Sequence, residues 1–81
     1  MAMKTIITKI LTERERQEML LWITKNIDIV KDSSDTYIDR WWVGDGWACM
    51  KLINTENGSG SAYELAIEDE FKAMEIALRW A

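Results

Sequence analysis

The stretch from Tyr37 to Ile67 constrains the fold of this chain more than any other. Tyr37-Ile38-Asp39-Arg40-Trp41-Trp42-Val43 and Trp47-Ala48-Cys49-Met50-Lys51-Leu52-Ile53 are runs of aromatic and branched residues on either side of Gly44-Asp45-Gly46. Such residues favour a pleated, half-buried backbone, and a Gly/Asp turn between two runs of them signals a β-hairpin. The register has two solutions. If Asp45 and Gly46 form a two-residue turn, Trp41 and Val43 share a face with Ala48, Met50 and Leu52. If Gly44 joins them in a three-residue loop, Trp42 and Ile38 take that face instead. In both cases Trp41 and Trp42, being adjacent in a strand, point to opposite faces.

After the polar, Gly/Ser-rich segment Asn54–Ser61, two readings compete for Tyr63-Glu64-Leu65-Ala66-Ile67. The alternation fits a third strand. Ser61-x-x-Glu64 also has the spacing of a helical capping box, which would start the last helix near Ala62. The strand reading is preferred, because a two-stranded hairpin alone leaves a sheet marginal. A helix then runs to the end of the chain. Ile67, Phe71, Met74, Leu78 and Ala81 form its apolar stripe, widened by Ala73, Ile76, Ala77 and Trp80, so Phe71 and Leu78 are expected in the core. Glu68, Asp69 and Glu70 near its start and Arg79 near its end complement the helix dipole.

On the N-terminal side, residues 4–11 are rich in β-branched residues and read as a strand, although Ile6, Ile7, Ile10 and Leu11 also fit helical spacing. Thr12-Glu13-Arg14-Glu15 is a capping box that opens a helix running to about Asn26. Its apolar face is Met19, Leu20, Trp22, Ile23 and Ile27, and its solvated face carries Arg14, Glu15, Arg16, Glu18 and Lys25. The segment Leu11-Thr12-Glu13-Arg14-Glu15-Arg16-Gln17-Glu18-Met19-Leu20 resembles the opening helix of the helix-turn-helix in response-regulator transcription factors. That family continues into a turn, a second helix and a recognition helix. This chain departs into the polar segment Asp28–Asp35 and then into β-sequence, so no DNA-reading role is carried over. Asp32-Ser33-Ser34-Asp35 reads as a turn; it lacks the spaced oxygen ligands, glycine and terminal glutamate of a calcium loop. Asn57-Gly58-Ser59 reads as a loop tip.

Together these elements predict an α+β fold for the single domain 1–81: an antiparallel sheet of three to four strands with two helices on one face, in the order (β)αβββα. With 48% apolar residues and five tryptophans in 81 residues, the chain can fill one small core. No run approaches the roughly 18 apolar residues of a membrane span, and the first residues do not read as a secretory signal, so a cytoplasmic location is expected. The single cysteine, Cys49, permits no internal disulfide, and the absence of histidine removes the usual general base and metal ligand. Asp39, Asp45, Glu64 and Glu68 read as solvated charges rather than a catalytic pair. No catalytic residue, cofactor or metal site is expected, and the chain does not read as an enzyme.

The net charge of −4 opposes binding to nucleic-acid phosphates and suits a basic protein partner. If both helices cover one face of the sheet, an indole of the hairpin is left on the other, and exposed tryptophan is a frequent anchor of protein interfaces. The expected partner-binding residues are Trp41, Trp42 and Trp47, with Asp39 and Asp45 as an acidic rim. In general character, though not in any motif, the chain resembles the small inhibitor proteins that phages and mobile elements direct against host defences. The expected function is therefore an inhibitor or adaptor that occludes a partner surface. A homo-oligomeric component burying the same aromatic patch as a homodimer is the alternative, and a nucleic-acid mimic a further one.

Overall fold

The computed structural model describes residues 3–36, 39–54 and 60–81. The start of the predicted hairpin at Tyr37 and Ile38 and the predicted loop tip at Asn57-Gly58-Ser59 lie outside the described residues. The fold is α+β, with elements β1 (Lys4–Ile7), α1 (Glu13–Asn26), β2 (Asp32–Asp35), β3 (Arg40–Gly44), β4 (Trp47–Asn54), β5 (Ser61–Ile67) and α2 (Glu70–Trp80). The strands make one antiparallel sheet in the order β1-β5-β4-β3-β2. Strands β2 to β5 follow one another as a meander, and β1 adds to the far side of β5.

The capping box at the start of α1 forms as its spacing predicts. The Thr12 hydroxyl accepts from the Glu15 amide at 3.2 Å, and the Glu15 carboxylate accepts from the Thr12 amide at 3.0 Å. This satisfies two of the amides that a helix start leaves without partners. α1 runs alongside β3: Glu13 at its start meets Arg40, and Asp28 just past its end accepts from the Asp45 amide at 2.9 Å. α2 begins at Asp69, whose carboxylate caps the Phe71 and Lys72 amides, so the segment before it is free to be a strand. Residues 62–67 accordingly lie within β5.

The hairpin takes the two-residue turn, with Gly44 opposite Trp47 and Trp41 opposite Met50. Gly46 has φ of 79°, a conformation that side-chain-bearing residues rarely adopt. Gly44 is required for another reason. The Trp47 indole lies against it and donates from Nε1 to the Asp28 carbonyl at 3.0 Å, and a Cβ on Gly44 would collide with that ring.

Both helices pack on the same face of the sheet. That face presents a cross-strand row of Ile6, Leu65, Cys49 and Trp42 and a second row containing Ile67 and Trp47. Met19, Leu20 and Ile23 of α1 and Ala73, Ile76 and Trp80 of α2 close over them. Trp22 and Trp80 meet edge to face between the helices, with ring centroids 6.1 Å apart.

Three expectations are corrected. The sheet has five strands, not three or four, because Asp32–Asp35 is the edge strand β2 rather than a turn. Its local preferences are those of a turn, and Asp32 still accepts from the Ser33 amide, but pairing with the exposed edge of β3 outweighs them. Second, Arg16 is not on the solvated face of α1. It is buried, pairs with Glu13 and stacks over the Trp42 ring at 5.1 Å, with its Nε left without a hydrogen-bond partner. Third, α2 is rotated from the expected orientation. Phe71, Met74 and Leu78 are 77%, 58% and 86% exposed, while Ala73, Ile76 and Trp80 face the sheet. Both stripes have helical spacing; the small Ala73 lets the helix approach the sheet closely, and Trp80 fills the gap beside Trp22.

Candidate functional site

Strand alternation places the other half of the sheet's side chains on a face that neither helix covers. One cross-strand row there is Ile7, Glu64, Met50, Trp41 and Ser34; the next is Thr5, Ala66, Ala48, Val43 and Asp32. Ile7, Met50 and, near the bulge in β4, Leu52 are exposed, and Trp41, Val43, Ala48 and Ala66 are half-buried by their neighbours alone. The result is an apolar surface centred on β3 and β4. The charged side chains at its strand positions are Glu64 and Asp32, both acidic. The Trp41 indole is held at one end of it by a bond from Nε1 to the Asp39 carboxylate at 3.0 Å, and the Asp39 amide in turn donates to the Thr36 hydroxyl at 2.9 Å. Asp39 therefore sits beside the indole and fixes its orientation.

The five residues expected to bind a partner do not converge on one surface. Trp41 and Asp39 lie together at the open face. Trp42, one residue on, is only 8% exposed, enclosed by Arg16 and by Tyr63, whose ring centroid is 6.2 Å away. Trp47 is buried completely, because its indole folds over Gly44 to reach the Asp28 carbonyl. Asp45 is exposed at the turn, but its carboxylate is paired with Lys31 and its amide with Asp28. Trp42 and Trp47 hold the core, and Asp45 closes the loop before β2 onto the hairpin. Met50, Leu52, Val43, Ala48, Ile7 and Glu64 join the surface instead. The signal that identifies most of them is the two-residue register, which groups Trp41, Val43, Ala48, Met50 and Leu52.

The remaining charges are arranged structurally. Arg40 bridges Asp35 at 2.5 Å and Glu13 at 3.3 Å, tying β2, β3 and the start of α1 together. The hydrogen bonds from Arg40 hold both carboxyls below their ordinary values, aided at Glu13 by Arg16, and Arg40 is itself raised. The Asp45 amide, with help from Lys31, lowers Asp28 in the same way. Burial beneath the helices pushes the Cys49 thiol up to about 12, which leaves it protonated and unreactive at neutral pH. Among the described residues no group of His, Cys, Asp and Glu could hold a metal ion, and no helix is long and apolar enough to cross a membrane. Comparison of the chain with protein-family models, with curated proteins and with solved structures finds no match.

Proposed function

We propose that this protein is a small binding module that docks a basic, partly apolar protein segment on the open face of its sheet, acting as an inhibitor or adaptor by covering that segment. The observation that carries the reading is an uncovered apolar surface around Trp41 whose strand positions bear Glu64 and Asp32 and no Lys or Arg. An indole offers a large rigid contact with little rotameric entropy to lose. The carboxylates around it attract a positively charged partner and favour such a partner over a second open face. Two such faces brought together would oppose like charges in an environment losing its water.

The test uses a basic amphipathic peptide of alternating lysine and valine as the first probe, followed by amide and indole resonances. Shifts at Trp41, Met50 and Ala48 that weaken with added salt support the reading. Trp41→Ala should reduce the affinity more than tenfold with the fold intact, and Glu64→Lys should mainly slow association. Shifts confined to α2, or binding unaffected by Trp41→Ala, overturn it. Affinity capture by wild-type and Trp41→Ala protein side by side then identifies the natural partner as the species retained by the first alone.

A further inference from the structure

We infer that two copies of this chain join edge to edge through β1, forming one continuous ten-stranded antiparallel sheet. The two edges of the sheet differ in kind. β2 carries exposed Asp32 and Asp35, the charged side chains that discourage a further strand from pairing. β1 is Lys4-Thr5-Ile6-Ile7; its one charge, the exposed Lys4, stands at its start, it has no acid, proline or bulge, and Ile7 is 52% exposed at its end.

The hydrogen-bonding groups at this edge are identifiable. The Thr8 amide donates to the Tyr63 carbonyl at 2.9 Å, so by alternation Ile6 also faces β5, and Thr5 and Ile7 direct their amides and carbonyls outward. The next outward amide, that of Lys9, donates to the Trp80 carbonyl at the end of α2 at 2.9 Å. Thr5 and Ile7 have no such partner among the described residues. Their amides and carbonyls are a template for one more strand.

Charge and symmetry select a second copy as that strand. With the two-fold axis at Ile6, Thr5 lies opposite Ile7 of the second copy, and each such pair exchanges two hydrogen bonds. Lys4 falls opposite Thr8 of the second copy, so no like charges meet. The same operation on β2, with the axis at Ser34, would set Asp35 opposite Ser33 and Asp32 opposite Thr36 of the second copy, so that four carboxylates would line that seam. Pairing β1 with β2 of another copy is a head-to-tail contact that gives a ring or an open filament, whereas the β1 pair closes with two copies and is self-complementary. α2 packs on β1 and β5, and its Lys72 and Arg79 reach over Trp22 of α1. By helical spacing its opposite flank carries Glu70, Met74, Ala77 and Ala81, and this mixed acidic, apolar and small flank lies toward the seam. The two open faces become neighbours in one surface, with Trp41 of each copy still uncovered.

Sedimentation equilibrium and native mass spectrometry at micromolar concentration test this. The wild-type chain should be a dimer, and Trp41→Ala should remain one. A chain carrying Thr5→Lys and Ile7→Lys, and another carrying Thr5→Glu and Ile7→Glu, should each be a folded monomer, because like charges then lie opposite across the seam. Mixed, they should form a one-to-one heterodimer. Thr5→Pro, which deletes an amide directed away from β5, should also give a monomer with the wild-type circular dichroism spectrum. A monomeric wild type, a dimer surviving Thr5→Pro, a dimer lost in Trp41→Ala, or failure of the two charged chains to recover a dimer when mixed overturns the inference.

Discussion

The two faces of the sheet are made by the same strands, residue by alternate residue, yet they have opposite roles. On the covered face Trp42 lies beneath the Arg16 guanidinium and beside Tyr63, and Leu65, Cys49 and Ile6 continue the row. On the open face Trp41, its neighbour in sequence, lies opposite Met50 of β4 and is tied to Asp39 rather than enclosed. The composition of the two faces differs less than their surroundings. What distinguishes them is that α1 and α2 both return to the same side, leaving Ile7, Met50 and Trp41 on a face over which no described residue forms a second layer. Exposed apolar surface of this kind is characteristic of sites where another molecule binds.

The largest expected effect that would break this comparison lies in the two indoles. Trp42→Ala should destabilise the protein by about 3–5 kcal/mol, the usual cost of removing a buried aromatic side chain. Trp41→Ala should cost less, roughly 1 kcal/mol, because its ring is only partly buried and neither helix packs over it. Urea unfolding of both variants measures the difference; equal losses would mean that the open face is as enclosed as the other.

A second contrast sharpens the comparison on the helix that covers the sheet. Ile76→Ala should cost about 2–5 kcal/mol, since Ile76 is fully buried between α2 and the sheet. Leu78→Ala, on the outward stripe, should lie within about 0.5 kcal/mol of wild type. Thermal midpoints of the two variants would separate clearly, and a large loss at Leu78 would show that α2 is docked through its other stripe.

The smallest effect concerns the ion pairs that join the covered side to the edge. Glu13, Asp28 and Asp35 hold their protons less tightly in the folded protein than in the unfolded chain, whose ordinary values are 4.5 for Glu and 3.8 for Asp. Their stabilising contribution is therefore complete above those values and is lost as pH falls through the lower, folded ones. The thermal midpoint should hold down to about pH 5 and decline progressively below 4.5. Arg40→Gln removes the partner shared by Glu13 and Asp35, so it should make that acid decline shallower. An unchanged decline would mean that these pairs do not contribute to folding.

Much of this architecture was legible in the sequence where the controlling contacts are local. Thr12 and Glu15 lie three residues apart and cap one another, so the start of α1 could be read directly. The hairpin was legible because Asp45 and Gly46 supply the turn that its flanking strands need. Strand β2 was not, since Asp32–Asp35 becomes a strand only by pairing with β3, and nothing within four polar residues announces that partner. The candidate site was legible in part. Trp41 and Asp39 belong to it, but Trp42 and Trp47 were indistinguishable from Trp41 as large aromatic residues in the same hairpin. Only the register, set where the Trp47 indole folds over Gly44 to reach Asp28, separated them.

By itself, then, the sequence determined the two helices, the hairpin and the opposition of Trp41 to Trp42. These depend on capping, turn chemistry and two-residue alternation, all of which act over a few residues. Only the tertiary structure decided which indole is covered, which of two apolar stripes on α2 meets the sheet, and that Arg16 is buried against an aromatic ring. In each of these cases two surfaces of one element are equally suited to burial by local criteria. The choice between them is made by the shape and spacing of the element that packs against them, which lies far away in the chain.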